Sequence, residues 1–325
     1  MAVYTHLGAE VLAELIAAYD VGDLISAKGI AEGVSNSNWM IETAQPDGRH
    51  AQFILTLYER RIDIAELPFF LSLLDHLAAR GCAVPATIHD RAGASLRQVS
   101  GKAAALIEFL PGVSPSAPSP EQAYAVGAAL AQVHIAGRDF PHARRDRLTP
   151  TENRATLVAA GPEALRRIDK GLADAIDWAG DVVTQWPTGL PASIIHSDLF
   201  PDNVLMLGSR VTGMIDFYFA CSGMMAYDLA VAHAAWAFDG DGSSYSPSVG
   251  TSLIAGYDSV RALTPAERAA LPLLAQGACL RFTASRAEDW LDPAAAVTLT
   301  RKNPMDFLRR WRFYRENSAA AFANP

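Results

Sequence analysis

The 325 residues are half apolar and only 19% charged, without an excess of Gly or Pro, which excludes a disordered or fibrous chain. Single cores rarely grow beyond roughly 250 to 300 residues, so two lobes with a cleft between them are expected. A net charge of −8 and a pI near 5.5 exclude a general nucleic-acid binder, which needs a clustered cationic footprint.

Three cysteines, Cys82, Cys221 and Cys279, are an odd number without CxxC spacing, so neither a disulfide framework nor a zinc knuckle is expected. They read as small buried apolar residues in a reducing compartment. No stretch reaches the roughly 18 apolar residues of a membrane span. Acidic Glu10 and Glu14 stand where a signal peptide wants a basic start, so the expectation is a cytoplasmic chain with no membrane partner. Oligomeric state is left open, and a homo-oligomer is compatible with the sequence.

In chain order, residues 9–19 repeat apolar positions at helical spacing and stop at Val21-Gly22. Residues 24–33, 37–44 and 51–59 then change to short β-branched and aromatic segments, the last two separated by a Pro-Asp-Gly turn, which predicts three antiparallel strands. Residues 66–79 return to helical periodicity, and 84–89 and 103–109 read as two more strands. The densest Pro and Ser, residues 111–120, place a boundary between an N-terminal lobe, 1–110, and a C-terminal lobe, 111–325.

Beyond Pro120, helices are predicted at 121–137, around 162–185, at 224–238, at 266–290 with a break at Pro272, and near 304–316. In the last of these, Arg309, Arg310, Arg312 and Arg315 read as a solvated face with Trp311 and Tyr314 turned inward. The fold class is α+β, bilobal, with an antiparallel N-terminal sheet and a larger, mainly helical remainder.

Between those helices lies the segment that carries chemistry. An apolar strand delivers His196, Ser197 and Asp198; Leu-Phe-Pro-Asp-Asn follows, then two short strands around a Gly208-Ser209 turn, and Asp216 at the end of the second. Acidic groups at the mouths of apolar strands are costly to bury unless they pair or meet a cation. Phosphoryl transfer needs a carboxylate for the attacking hydroxyl and hard oxygen ligands for Mg²⁺. Asp198 fits the first requirement, and Asn203 with Asp216 fits the second. Taken singly, the three also read as a turn cap, a loop amide and a strand terminus.

His-Ser-Asp-Leu-Phe-Pro-Asp-Asn followed by Ile-Asp-Phe resembles the HxDxxxxN loop and metal-binding Asp of protein kinases in their aminoglycoside and choline kinase-like branch. The resemblance implies the protein-kinase-like fold, ATP and Mg²⁺ as cofactors, Asp198 as base, Asn203 and Asp216 as metal ligands, and His196 as an orienting group. It implies Asp228 as a brace for the catalytic loop. It points to residues 32–43, with Gly33, Ser35, Asn36, Ser37 and Asn38 in the turn between the first two strands, as the phosphate-covering loop. It places a nucleotide-binding hinge at 103–112, where backbone groups of Glu108, Phe109 and Leu110 would meet adenine. The strand lysine of such kinases is replaced by Thr56, and Lys28 and Arg60 are both candidates to supply the cation.

Nearly the whole chain, including the segments at 32–43, 53–61, 66–81, 280–290 and 302–311, is similar to homoserine kinases of the choline-kinase-like type. That resemblance implies ATP-dependent phosphorylation of the small molecule L-homoserine for threonine synthesis. A zwitterionic amino acid wants a forked cation and an acceptor: Arg281 and Arg286 offer the first, Asp202, Tyr218 or Asp228 the second, with bracing the stronger reading for Asp228. The alternatives are that both arginines pair with Glu288 or Asp289, that the acceptor alcohol is choline, an aminoglycoside or a methylthio-sugar, or that the chain binds nucleotide without catalysis. His134 and His233, on apolar helices, read as core histidines.

Overall fold

The computed structural model describes residues 5–30, 36–59, 63–292 and 301–322. They divide into two compact units, Met1–Pro111 and Gly112–Pro325.

In the first unit, α1 (Ala9–Ala17) is followed by three strands, β1 (Asp23–Ile30), β2 (Asn36–Ala44) and β3 (His50–Tyr58). Then come α2 (Leu67–Ala79), β4 (Thr87–Ile88), β5 (Arg97–Val99) and β6 (Lys102–Glu108). The sheet runs β1-β2-β3-β6-β4 with β5 beside β6, and its pairs are antiparallel. Leu12, Leu15 and Ile16, spaced as one helical face, lay α1 against Ile41, Leu55, Leu57, Ala104 and Leu106 of the sheet. Gly22 takes a φ of 87°, and a Cβ there would run into the carbonyl of Ala44. Only glycine lets the chain leave α1 so close to the end of β2.

The second unit is mainly helical. It contains α3 (Pro120–Ala136), α4 (Pro150–Ala160), α5 (Pro162–Ile168), α6 (Ala175–Gln185), α7 (Met225–Trp236), α8 (Pro247–Val260), α9 (Pro265–Leu291) and α10 (Met305–Ala321). Four short strands lie between α6 and α7: β7 (Ala192–Ile195), β8 (Val204–Leu207), β9 (Arg210–Met214) and β10 (Cys221–Met224). They pair as β8 with β9 and β10 with β7. Every residue of α7 is buried; the run is apolar but for Asp228 and His233, each of which has a hydrogen-bond partner. Helices α3 and α8 cross in backbone contact: a Cβ on Gly127 would strike the Leu253 carbonyl, and one on Gly256 the Tyr124 carbonyl.

Several elements depart from the pattern reading. Helices α4 and α8 and strands β5 and β10 were not expected, and 162–185 is two helices with a turn between them. The start of α4 had a usable signal: Thr149 caps the amide of Glu152 and Pro150 fills the first helical position. Pro272 does not break α9, which runs on for 27 residues. Its packing against α4, α7 and α10 outweighs the roughly 3 kcal/mol a helical proline costs. Trp311 and Tyr314 are buried as expected, but so is Arg310, which donates to the carbonyls of Asp239 and Gly240 at 2.7 and 3.2 Å. Cys82, Cys221 and Cys279 are all buried free thiols.

Candidate active site

Buried Ile194 and Ile195 fix β7 against β10, and the chain turns abruptly beyond it. Ser197 adopts φ 67°, a left-handed conformation that costs a non-glycine residue of order 1–3 kcal/mol. Two side chains hold it there. Asp228 of α7 accepts the amide of Ser197 at 2.6 Å and that of His196 at 2.7 Å. Arg281 of α9 donates to the Ser197 hydroxyl at 2.6 Å and also to its carbonyl.

Asp228 has no exposed surface, and burial pulls its pKa upward. Hydrogen bonds from His134 and from the His196 amide outweigh that and hold the carboxyl below its ordinary range. His134 donates through Nε2 at 2.9 Å and accepts at Nδ1 from the Tyr257 hydroxyl at 2.7 Å. It is therefore a fully partnered core histidine, and it carries the brace from the catalytic loop into α3 and α8. His233 is buried too, with Nδ1 paired to the Tyr314 hydroxyl at 2.6 Å, and burial drives its pKa down to about 3.

His196 faces inward. Its Nε2 donates to the Ile215 carbonyl at 3.0 Å, and its Nδ1 accepts the Asp198 amide at 3.2 Å. One donor and one acceptor define the neutral imidazole, and burial pushes the pKa down in agreement. His196 thus ties the loop of Asp198 to the end of β9.

The β8–β9 hairpin brings the remaining two groups together. The Ile215 amide donates to the Asn203 carbonyl at 3.0 Å, extending the ladder that pairs Val204 with Met214. Asp216 is the next residue, at φ 65°. Asn203 Nδ2 donates to the Asp198 carbonyl at 2.8 Å and lies 3.4 Å from its carboxylate, so its amide oxygen is directed away from Asp198.

The electrostatics of the three carboxylates are unbalanced. Burial raises the pKa of Asp198, opposed first by Arg281, whose Nη2 is 3.6 Å away. Asp216 opens to solvent on one side, yet desolvation by the surrounding protein, then the charges of Asp198 and Asp202, push it up to about 7. Hard oxygens with excess negative charge suit Mg²⁺, which takes one or two carboxylates and keeps several waters. The donor set of Asp216 and Asn203 fits that ion.

In the first unit, Gly33, Ser35 and Arg60 lie outside the described residues. Asn36, Ser37 and Asn38 belong to β2 rather than to a turn. Their pairing with Tyr58, Leu57 and Thr56 of β3 continues the ladder to its end, which pattern reading placed one residue late. Ser37 donates to Glu59 at 2.7 Å, and Thr56 donates to Asn38 at 2.9 Å. Lys102 of β6 pairs with the same Glu59. Alternation puts Glu59 and Lys102 on the α1 side of the sheet, with Leu57 and Ala104. That is the face opposite Thr56. Lys28, opposite Met40 in the register, shares the Thr56 face. The Glu108 amide is engaged by the Ala86 carbonyl at 2.9 Å, while Phe109 and Leu110 follow the end of β6.

The two arginines are drawn apart by the helix. Arg281 meets the catalytic loop, and Arg286 pairs with Asp306 at 2.9 Å and with the Asn303 carbonyl at 3.1 Å. Ser197 lies 84 residues from Arg281, and Asp306 and Asn303 lie 20 and 17 residues from Arg286, far beyond helical spacing. Asp202 is exposed beside Asn203, and the Tyr218 amide donates to Asp216. The sequence reading missed Lys302, whose Nζ lies 3.7 Å from Asp202 and 5.6 Å from the centre of the Phe200 ring.

The fold and this arrangement define a kinase-like phosphotransferase, and residues 26–263 match the phosphotransferase enzyme family. The chain belongs to that family. A homoserine kinase of Xanthobacter autotrophicus is 45% identical over 323 residues, 98% of each chain. A homoserine kinase of Granulibacter bethesdensis is 45% identical over 315 residues, 97% of each. Among solved structures, spectinomycin phosphotransferase in complex with ADP and spectinomycin matches with a TM-score of 0.68 at 15% identity, over 98% of this chain and 99% of that one.

Proposed function

We propose that this chain is a homoserine kinase, transferring the γ-phosphate of ATP to the hydroxyl of L-homoserine to give O-phospho-L-homoserine for threonine synthesis in the cytoplasm. The observation that carries the reading is the 45% identity to a homoserine kinase across 98% of both chains; the contacts of Asn203 with Asp198 at 2.8 Å and with the Ile215 amide beside Asp216 at 3.0 Å support it.

Asp198 accepts or orients the proton of the attacking hydroxyl, so it must be ionised in a setting that disfavours its charge. Arg281 offsets that penalty at 3.6 Å. Asp228, His196 and Arg281 keep the Ser197 turn and so the direction of Asp198, which is how positioning lowers the barrier in phosphoryl transfer. Asn203 and Asp216 would hold Mg²⁺, which when bound neutralises charge on the phosphates. Asn36 and Asn38, with Gly33 and Ser35, serve the phosphates, while the Ser37 side chain is turned to Glu59 on the α1 side of the sheet; backbone groups of Phe109 and Leu110, next to Glu108, serve adenine; Asp202 and Tyr218 serve the acceptor.

The test is an ADP-release assay with L-homoserine, choline, an aminoglycoside and a methylthio-sugar. Homoserine is expected to be the preferred acceptor by at least about tenfold in kcat/KM, the discrimination that one unmatched charged group produces. ADP release with another alcohol and none with homoserine would overturn the reading.

A further inference from the structure

The proposed acceptor is a zwitterion, yet neither arginine assigned to it by sequence is available. Arg281 is 2% exposed and donates to Ser197, while Arg286 is 12% exposed and paired with Asp306. The carboxylate of an amino acid needs another cation.

Lys302 stands at the right place. Its side chain is 62% exposed, that of Asp202 is 66% exposed, and the two charges are 3.7 Å apart. Such a surface pair contributes at most about 1 kcal/mol, so its partners exchange readily for those of a ligand. The surrounding backbone is tethered. Asn303, next to Lys302, receives Arg286 at 3.1 Å, and Arg301 on the other side donates to the Asp292 carbonyl at 2.5 Å. Asp202 sits in the turn Pro201–Asn203, where its carbonyl accepts from Ser114 at 3.2 Å. Both charges act on the reacting carboxylates: Lys302 lowers, and Asp202 raises, the pKa of Asp198 and of Asp216.

We propose that Lys302 and Asp202 together form an α-amino-acid clamp, Lys302 receiving the substrate carboxylate and Asp202 its ammonium, with the hydroxyl left to Asp198. This rests on the homoserine kinase reading and names the residues that select an amino acid over a simple amino alcohol. Two opposite charges side by side match the two ends of a zwitterion, and an amine without a carboxylate engages only one of them.

The experiment compares wild type with Lys302→Gln, Lys302→Arg and Asp202→Asn. It uses L-homoserine as acceptor and 3-aminopropan-1-ol, which lacks only the carboxylate, as competitor. Lys302→Gln should raise the KM for homoserine about 10- to 100-fold, the range for loss of one charged contact. The KM for ATP, the melting temperature and the inhibition constant of the amino alcohol should change less than about twofold or a degree or two. Lys302→Arg should recover most of the loss, and Asp202→Asn should weaken both molecules. An unchanged KM for homoserine, a raised KM for ATP, or equal weakening of amino acid and amine by Lys302→Gln would overturn the clamp. Wild-type protein inactive on homoserine would contradict the proposed function itself, and with it the clamp.

Discussion

Asp228 accepts the backbone amide of Ser197 at 2.6 Å, and Ser197 is held at a φ of 67° directly before the carboxylate assigned the catalytic proton. The buried acid on α7 therefore controls the aim of Asp198 without touching it. Its own charge is kept by His134, so the alignment of the loop reaches back to Tyr257 on α8 through two further hydrogen bonds of 2.9 and 2.7 Å.

Asp228→Asn is expected to lower kcat about 10- to 100-fold, because an amide accepts fewer of the converging N–H groups and leaves one unsatisfied. Melting temperature should fall by several degrees, while the KM for ATP changes little. Steady-state kinetics alongside thermal melting separate the two effects. A variant with wild-type kcat would show that the Ser197 turn does not need its acceptor.

Removing Arg281 tests the electrostatics. Burial raises the pKa of Asp198 and Arg281 lowers it, so Arg281→Met should raise it further. A base with a higher pKa loses its proton only at higher pH. The acidic limb of kcat/KM should move to higher pH, and turnover should recover partly as pH rises. An unmoved limb contradicts the role given to the guanidinium.

Metal affinity should carry the signature of Asp216. Its carboxyl is pushed up to about 7 by burial and by Asp198 and Asp202, and a proton must leave before a cation binds. Apparent Mg²⁺ affinity in the presence of nucleotide should therefore rise from pH 6 to pH 8, and Asp216→Asn should flatten that dependence. Titration calorimetry in buffers of different ionisation enthalpy would report the released proton.

The crossing of α3 and α8 tolerates no side chain at Gly256, because the Tyr124 carbonyl occupies the Cβ position. Gly256→Ala should destabilise the protein by about 1–3 kcal/mol, the usual cost of overpacking. The same substitution at Gly48, where a Cβ meets nothing within 4 Å, should do less, with only its φ of 80° opposing it. Chemical denaturation of the two variants provides the comparison.

Asp198, Asn203 and Asp216 were legible in sequence because they lie within 19 residues (198 to 216) around one hairpin whose turn and alternation are local signals. The β1-β2-β3 meander was legible for the same reason. Arg281 was legible as a site residue but not in its partner, since it reaches Ser197 across 84 residues, and no periodicity encodes such a contact. Lys302 was passed over because its significance depends on Asp202 and Phe200, a hundred positions away in the chain. Strand β10, short and rich in small residues, has no pattern of its own and exists because β7 offers it a ladder.

The central claim, that Asp198 serves the hydroxyl of homoserine, is tested most directly by the turnover of Asp198→Asn with L-homoserine and Mg·ATP. The account predicts a loss of kcat of about 10²- to 10⁴-fold, with stabilisation by Mg·ATP retained in thermal melting. Near-normal turnover by that variant would contradict it.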